Sequence, residues 1–223
     1  MKYMLHHNKR PKVRKKIIKK TGKVLLLVTL VIGLSYVWHV HFNYRFGVIT
    51  ENKVYKSGKI PPDQIAGYLI KNKIKTVIDL RHPELHDPLN PGKQDGIDLE
   101  REAVEKLPGV QYINIPSDQV PTKENLVKFF EVMDDSSSYP VLIHCYHGTG
   151  RAIIYSAIYR IEYEGMSAEE ARQLTRFKLI GSSFDRGRRK GDFLVNYKAR
   201  KKGKNSTLNT MQGEYHTSGK TRG

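Results

Sequence analysis

The sequence Val141-Leu-Ile-His-Cys-Tyr-His-Gly-Thr-Gly-Arg-Ala-Ile-Ile-Tyr155 decides the fold of this 223-residue chain. It opens with a short apolar run after Pro140, which predicts a buried strand. Two glycines then mark a turn, and the apolar segment from Ile153 to Ile161 predicts a buried helix. A glycine-containing loop that leads from a strand into a helix N-terminus forms an anion cradle, because backbone N–H groups point inward and the helix dipole adds positive potential.

The only cysteine of the chain, Cys145, lies in this loop, and Arg151 follows six residues later. The thiolate is the nucleophilic form of cysteine, and helix N-termini and nearby cations lower a thiol pKa from about 8.5 to roughly 3.5–7.5. An arginine fork holds two phosphate oxygens through parallel hydrogen bonds. The pattern indicates phosphoryl transfer to sulfur. A lone cysteine is more commonly a small buried side chain, and the missing Gly-Lys-Ser/Thr ending disfavours ATP or GTP binding.

The residues His144-Cys145-x5-Arg151 resemble the signature of the cysteine-dependent protein tyrosine and dual-specificity phosphatases. The resemblance covers about residues 54–198. Three further segments are similar to bacterial and fungal members of the dual-specificity type: Tyr55-Lys-Ser-Gly58, Asp79-Leu-Arg81 and Ile115-Pro-Ser-Asp118. The resemblance implies a cysteinyl-phosphate intermediate and no cofactor. The domain is shorter than a full tyrosine-specific domain, which favours a shallower cleft and broader substrate access.

In the family, an aspartate on a mobile upstream loop protonates the leaving oxygen, and Asp118 matches this position. It follows a predicted strand, lies in the proline-bounded loop 116–121 and precedes Cys145 by 27 residues. As general acid it would protonate the leaving oxygen, and as general base it would then activate water against the thiophosphate. The alternative is an ordinary turn or cap residue. Poorer candidates for the same role are Asp87, Asp95, Asp134 and Asp135.

The other residues of the loop are expected to bind phosphate or to support the nucleophile. We expect His144 to orient the loop and to favour the thiolate by hydrogen bonding rather than to act as a base. The residues expected to bind the substrate phosphate are Tyr146, His147, Gly148, Thr149, Gly150 and Arg151. His147 could contact phosphate when protonated or face solvent, and both alternatives stay open. No cluster with the spacing of metal ligands accompanies the histidines, so no metal is expected.

One position departs from the family pattern. The family usually has Ser or Thr directly after the arginine, and this hydroxyl helps to stabilise the thiolate and to release the phosphoenzyme. Here the position is Ala152. Three consequences stay open: Thr149 replaces the missing hydroxyl, turnover is slow, or the domain has drifted towards phosphate binding without turnover.

The net charge of +17 suggests a nucleic-acid partner until the charges are located. Residues 1–23 contain ten Lys or Arg and no acid, and residues 200–223 contain six Lys or Arg and one acid. Residues 24–199 carry 23 basic and 21 acidic side chains, so the folded part is nearly neutral. We therefore expect no nucleic-acid partner, a basic N-terminus over 1–23 and a disordered basic tail over 199–223.

Residues 24–42 contain no Asp, Glu, Lys or Arg, and 19 residues of helix can cross about 30 Å of hydrocarbon. Bulky Tyr, Trp and His end this segment, whereas small residues end a cleavable signal peptide. The segment therefore predicts an uncleaved, single-pass transmembrane anchor. Ten Lys or Arg precede it and four follow within twenty residues, so the positive-inside rule places the N-terminus in the cytoplasm and the catalytic domain outside, on the periplasmic side of a bacterial inner membrane.

Beyond the anchor, residues 43–53 are interpreted as a linker and residues 54–198 as the catalytic domain. Strands are predicted over 54–58, 74–80, 110–115 and 141–144, and helices over 61–72, 97–107, 122–133, from the loop to 164, from 167 and over 190–198. Alternating strands and helices predict an α/β fold, in which helices flank a central sheet of about four to five strands.

The sequence thus predicts a metal-independent phosphomonoester hydrolase, foremost a protein tyrosine or dual-specificity phosphatase. A membrane phospholipid or another phosphorylated metabolite is the alternative to a phosphorylated protein as substrate. The anchor favours a lipid, but the loop lacks the lysines that phosphoinositide-directed relatives place there. A phosphate-binding pseudophosphatase is the alternative from another class. Ala152 favours it, whereas Cys145, Arg151 and Asp118 argue against it.

Overall fold

A computed structural model describes residues 11–83, 96–176 and 181–200, with side chains from residue 19 onward. The chain divides into two compact units, Met1–Ser156 and Ala157–Gly223. Each unit is described by itself.

The first unit is built around a five-stranded sheet in the order β1-β2-β5-β3-β4. The strands are β1 (Gly47–Thr50), β2 (Val54–Ser57), β3 (Thr76–Asp79), β4 (Gln111–Asn114) and β5 (Val141–His144). β1 is antiparallel to β2, and the other strands are parallel. The central strand β5 is buried along its whole length, which explains its continuous apolar run rather than an alternating pattern.

The helices follow the start and stop signals of the sequence. They are α1 (Pro11–His41), α2 (Pro62–Lys71), α3 (Ile97–Glu105), α4 (Lys123–Asp134), α5 (Arg151–Tyr163), α6 (Ala168–Thr175) and α7 (Arg189–Asn196), with a 3-10 turn at Ser136–Ser138. Thr122 caps α4 by accepting a hydrogen bond from the N–H of Asn125. Ser167 and Glu170 form a capping box at the start of α6, the helix predicted from residue 167. Gly165, with φ of 70°, follows the end of α5.

One face of the sheet packs against α2 and α3. The apolar cluster there combines strand and helix residues: Tyr55, Val77, Leu142, Ile65, Leu69 and Val104. Side chains alternate along a strand, so the neighbours of these strand residues point to the opposite face. Helices α4 and α5 contact each other through Phe129 and Tyr155, whose rings meet edge to face at 5.0 Å between centroids.

The predicted fold class is confirmed, with a mixed sheet of five strands flanked by helices. The predicted linker over 43–53 is wrong, because Gly47–Thr50 forms β1 and pairs with β2. The turns that bound this short strand use positive φ angles at Tyr44, Arg45 and Asn52, none of which is glycine. Asn52 is a residue type that tolerates this conformation, but Tyr44 and Arg45 give no turn signal before the strand.

Helix α1 contains the apolar segment Lys19–His41, whose 23 residues are long and apolar enough to cross a membrane. No part of its most apolar stretch is buried inside the protein. Length and composition support a membrane span, although a signal sequence near the N-terminus meets the same criteria. The residue after this helix, Phe42, accepts a hydrogen bond at its carbonyl from the Tyr68 hydroxyl of α2, at 3.2 Å.

The second unit contains the end of α5, α6 and α7. Arg172 is buried, pairs with Glu169 and donates to the carbonyl of Phe184 at 2.9 Å. Glu162 accepts hydrogen bonds from the Tyr197 hydroxyl and from the backbone and guanidinium of Arg200. Arg200 is therefore part of the folded unit, and the prediction of a disordered tail is wrong at this residue. Residues 201–223 lie outside the described residues.

Candidate active site

The register of the parallel strands aligns four polar residues in a row at the carboxyl edge of the sheet. Ser57 of β2, His144 of β5, Asp79 of β3 and Asn114 of β4 are partners across neighbouring strands. The row lies one position before Cys145. Ligands of open α/β sheets bind outside the carboxyl ends of the strands, so the fold places the candidate nucleophile where a ligand is expected.

A buried arginine compensates the acidic charge at this row. Arg81 donates to both oxygens of Asp79 at 2.8–3.0 Å and to Oε2 of Glu100 at 2.7 Å. The Tyr112 hydroxyl also donates to Asp79. Burial opposes the charge of Asp79, but His144 and Arg81 outweigh it and lower the pKa of this carboxyl to about 2.

His144 is the second cation of this cluster. Its Nε2 lies 2.9 Å from Oε1 of Glu100 and 3.7 Å from Oδ1 of Asp79, without hydrogen-bond alignment. Burial disfavours the charged ring, but Glu100 and Asp79 outweigh it and raise the pKa of His144. With His144 protonated, two carboxylates face two cations, and the cluster is neutral. On the neighbouring strand, the hydroxyl of Ser57 is buried and makes no hydrogen bond to the described residues.

Three members of the cluster also have the chemistry of metal ligands. Donor atoms of Asp79, Glu100 and His144 lie within 4.8 Å of one another. The sequence predicted no metal, because these residues are far apart along the chain. Arg81 already binds both carboxylates, and a divalent ion would be placed close to this fixed positive charge. The cluster therefore fits a charge-balanced support for the loop better than an ion site.

Cys145 is buried, with 2% of its surface exposed, and the N–H of Gly148 points at its sulfur with the two atoms 3.3 Å apart. Gly148 has a φ of 68°, and a Cβ there would lie 2.5 Å from the backbone nitrogen of Gly58. Only glycine fits at this position. Helix α5 begins at Arg151, so the loop and the helix N-terminus form the predicted cradle.

The position that departs from the family pattern, Ala152, is fully buried in the first turn of α5. Thr149 is exposed. Among the described residues, the hydrogen-bond donor that contacts the sulfur is the N–H of Gly148 rather than the hydroxyl of Thr149.

Arg151 is buried, with 2% of its surface exposed. Its Nη1 donates to the carbonyls of Leu80 at 2.9 Å and Ser117 at 3.3 Å. A guanidinium carries five N–H donors in one plane, so these two contacts fix the direction of the whole fork. Ser117 directly precedes Asp118, so this contact links Arg151 to the segment that carries the candidate acid.

Asp118 lies between β4 and α4, in a segment that Ser117 ties to the site. The Ser117 hydroxyl accepts a hydrogen bond from Tyr155 at 2.9 Å, and its carbonyl accepts one from Arg151. The side chain of Asp118 is 57% exposed, and its Oδ1 lies 3.4 Å from Nε2 of His82 without hydrogen-bond alignment. The carboxyl of Asp118 is therefore accessible from solvent.

Two of the four alternative aspartates lie among the described residues. Asp134 is exposed at the end of α4. Asp135 accepts hydrogen bonds from the backbone and hydroxyl of Ser137 and so caps the 3-10 turn. Asp87 and Asp95 lie outside the described residues.

The remaining loop residues differ in exposure. Tyr146 is half-buried, and its ring meets that of the exposed His147 edge to face, at 4.7 Å between centroids. Gly150 is half-buried directly before α5. The side chain of His147 thus faces solvent in this structure, and its contact with a substrate phosphate stays a prediction.

Residues 43–188 match the family model described as "DSP-PTPase phosphatase fused to NAD+ Kinase". The match covers more than half of the chain and includes the whole site. The chain belongs to this phosphatase family. The predicted resemblance is therefore confirmed. The match begins at residue 43 and so includes β1, in agreement with the finding that this segment is part of the phosphatase domain.

Solved structures similar to this phosphatase include the core catalytic domain of PP-IP phosphatase SIW14 from S. cerevisiae in complex with citrate, with 18% identity over 69% of this chain and 85% of that chain and a TM-score of 0.49. TpbA from P. aeruginosa has 18% identity over 65% and 79% of the two chains and a TM-score of 0.44. PTPMT1 has 19% identity over 56% and 77%, also with a TM-score of 0.44. Among curated proteins, none matches the sequence. The family assignment rests on the family model.

The sequence missed Glu100, which joins the cluster from a distant helix of the phosphatase. The sequence pattern that could have revealed Glu100 is an acid on the apolar side of a predicted helix. Ile97, Glu100 and Val104 are the buried residues of α3. The sequence marks Arg81 only through the resemblance to the family. Its pairing with two carboxylates depends on the three-dimensional fold.

Proposed function

We propose that this phosphatase is a metal-independent phosphomonoester hydrolase that works through a cysteinyl-phosphate intermediate. The observation that carries the proposal is the N–H of Gly148 directed at the buried sulfur of Cys145, in the loop that ends at the fixed guanidinium of Arg151. An N–H and a guanidinium favour negative charge on the sulfur and on a phosphate above it. In this proposal they supply the positive charge that a metal ion would supply.

In the first step, the thiolate of Cys145 attacks phosphorus. A P–S bond forms while the bond from phosphorus to the leaving oxygen breaks, and protonated Asp118 gives its proton to that oxygen. Arg151 and the N–H groups of the loop bind the other phosphate oxygens. His144, protonated beside Glu100, supports the strand end that carries the thiolate.

In the second step, water attacks the thiophosphate. The carboxylate of Asp118 takes a proton from this water, a P–O bond forms and the P–S bond breaks, so that inorganic phosphate and the Cys145 thiolate are released. No hydroxyl follows Arg151 to stabilise the departing sulfur. We therefore expect breakdown of the phosphoenzyme to limit turnover.

The proposed substrate is a phosphorylated protein, with phosphotyrosine first and phosphoserine or phosphothreonine as further targets. The matched family is described as a DSP-PTPase phosphatase, which supports a phosphorylated protein as substrate. A membrane phospholipid is the second candidate, and one observation favours it. Arg45, four residues beyond the end of α1, donates to the carbonyl of His147 in the loop at 3.0 Å. A lipid phosphate close to the membrane would therefore have only a short distance to travel.

The full chain in detergent micelles should hydrolyse p-nitrophenyl phosphate in the presence of EDTA. Cys145→Ser should abolish hydrolysis and retain binding of inorganic phosphate, because the cradle stays intact. Activity of the Ser variant equal to that of the wild type, or complete inhibition by EDTA, would contradict the proposal. Parallel assays on phosphopeptides, phosphatidylglycerophosphate and phosphoinositides would separate the two substrate classes.

We also propose that α1 is an uncleaved anchor that leaves the N-terminus in the cytoplasm and the catalytic domain on the extracytoplasmic side. The ten positive charges before the apolar segment support this orientation. A reporter fused after Arg200 should be active only outside the cytoplasm. Cytoplasmic reporter activity would reverse the orientation, and a shortened N-terminus in the mature protein would indicate a cleaved signal.

A further inference from the structure

Two cations contact the carbonyl side of the loop that carries Cys145. Arg45 donates from Nη1 to the carbonyl of His147 at 3.0 Å. Lys56 of β2 donates from Nζ to the carbonyl of Gly148 at 3.5 Å and to the carbonyl of Arg45 at 3.1 Å. Neither side chain takes part in the proposed reaction steps.

The carbonyl of His147 and the N–H of Gly148 belong to one peptide group. Arg45 binds the carbonyl end of this group, and the sulfur of Cys145 accepts from its N–H end at 3.3 Å. If the peptide rotated by half a turn, it would direct a carbonyl oxygen at the sulfur and oppose negative charge there. A donor that holds the carbonyl therefore also fixes the direction of the N–H. Charge on that donor polarises the peptide and strengthens the hydrogen bond at its other end.

The segment that carries Arg45 is held in a defined conformation. Tyr44 and Arg45 have φ angles of 51° and 52°, which are uncommon for residues other than glycine. The carbonyl of Tyr44 accepts from the N–H of Gly58 at 2.7 Å, and Phe46 stacks on Tyr55 at 5.6 Å between ring centroids. The surrounding contacts thus hold Arg45 in place beside the loop.

Lys56 stabilises the same arrangement from the strand. It is half-buried, and burial lowers the pKa of its ammonium group; the thiolate of Cys145 acts to raise this pKa, and Arg45 acts to lower it. The charged groups around the peptide are therefore Arg45 and Lys56 on the carbonyl side, with Cys145 and Arg151 at the two ends of the loop. His147 contributes an exposed ring.

We propose that Arg45 is a positioning residue that fixes the His147–Gly148 peptide with its N–H towards Cys145, and that Lys56 reinforces it. This inference rests on the proposed role of Cys145 as nucleophile. The segment after α1 is then a part of the catalytic apparatus, although it does not contact the substrate.

The test measures iodoacetamide inactivation against pH for the full chain in detergent micelles. Arg45→Met should raise the midpoint of this pH profile by about one unit and slow inactivation below the midpoint about tenfold, because a hydrogen bond to the thiolate is weakened. Arg45→Lys, which keeps the charge, should restore part of the loss. Lys56→Met should shift the midpoint in the same direction by less. Lys53→Met is the matched control, since Lys53 is exposed in the turn before β2.

A second substitution separates positioning from general damage. Ala152→Ser combined with Arg45→Met should return the midpoint towards that of the wild type, because the new hydroxyl can donate to the sulfur. An unchanged midpoint in both Arg45→Met and Lys56→Met would overturn the inference. If Arg45→Met does not fold, the midpoint is measured in Arg45→Gln and Lys56→Met instead, and an unchanged midpoint in both would again overturn the inference. The proposed nucleophile is tested independently by Cys145→Ser, so the two failures are distinguishable.

Discussion

The candidate site has a buried end, the charged cluster beneath Cys145, and an exposed end, the side chain of Asp118. The two ends are built in opposite ways. Beneath Cys145, the side chains of Asp79, Arg81, Glu100 and His144 are each at most 3% exposed and are held by several short contacts. The side chain of Asp118, the candidate acid, is 57% exposed, and its one polar contact within the described residues is to His82 at 3.4 Å. The surroundings of Cys145 are therefore fixed, whereas the side chain of Asp118 can reorient.

The physical reason lies in what each end must do. Buried charges are tolerated only when they are paired, so the cluster that supports Cys145 has little freedom to rearrange. An acid that gives a proton to a leaving group and later takes one from water must reach both partners. Its loop is fixed one residue earlier, at Ser117, by Arg151 and Tyr155. The side chain of Asp118 can thus reorient while the backbone at Ser117 stays fixed.

The largest effect is expected at the exposed end. Asp118→Ala should lower kcat by about 10²–10⁴ for alkyl phosphates and much less for activated aryl phosphates, which depart without a proton. Steady-state rates on both substrate types measure the difference. Asp134→Ala, exposed at the end of α4, is the control and should retain activity. Equal losses on both substrates would return Asp118 to a structural role.

The buried end should respond in stability. Glu100→Gln leaves Arg81 and His144 without one of their counter-charges and should lower the free energy of unfolding by about 3–5 kcal/mol. Chemical denaturation measures this loss. Glu105→Gln, exposed on the same helix, should be nearly neutral. A small effect of Glu100→Gln would show that the buried cluster is held by packing rather than by charge.

The same variant changes the pH dependence of stability. The pKa of His144 is raised in the folded protein, so its contribution is complete below its ordinary value of 6.5 and is lost as pH rises through the folded value. The pKa of Asp79 is lowered to about 2, so its contribution is present above its ordinary value of 3.8 and is lost as pH falls towards 2. Glu100→Gln should therefore flatten the decline of stability above pH 6.5.

A smaller effect is expected at Ala152, in the first turn of α5. Ala152→Ser should lower the midpoint of the pH profile for iodoacetamide inactivation by about one to two units and speed phosphoenzyme breakdown about ten- to a hundredfold, because its hydroxyl can donate to the sulfur. The wild type should show a burst of leaving group in rapid-mixing experiments. Thr149→Val is the comparison. If Thr149→Val raises the midpoint and Ala152→Ser leaves it unchanged, Thr149 already supplies the hydroxyl.

The smallest effect is expected at His82, beside the candidate acid. His82→Gln should change kcat by less than about fivefold and the free energy of unfolding by at most about 1 kcal/mol, because its 3.4 Å contact with the largely exposed Asp118 is not aligned as a hydrogen bond. Kinetics on an alkyl phosphate and denaturant titration measure both. A loss comparable to that of Asp118→Ala would mean that His82 holds the acid in place, and the contrast between the two ends would weaken.

The sequence predicted what is local and missed what converges from distant segments. The loop from Cys145 to Arg151, β5 and the helix starts at Thr122 and Ser167 are encoded by neighbouring residues, and their structures agree with the prediction. Glu100 and Arg81 meet only because the strand order places β3 beside β5 and α3 above them. No spacing in the chain indicates such a contact.

The segment before β2 was missed for a different reason. β1 is an edge strand whose residues are at most half-buried, so it lacks the long apolar run that marks β5, and Tyr44 and Arg45 turn the chain where glycine or proline would normally be expected. The side chain of Arg45 then reaches a loop more than a hundred positions away, a contact that local propensity does not encode.

The position of Arg45 has a practical consequence for anyone who wishes to work without the apolar helix. A soluble form that starts at Val54, where the sequence alone places the domain, would lack both β1 and the guanidinium that binds His147. Such a protein could fold and yet give a misleading account of the native catalytic rate. A form that starts at residue 42 or earlier would keep the carbonyl of Phe42 for Tyr68 and leave the loop with its native neighbours.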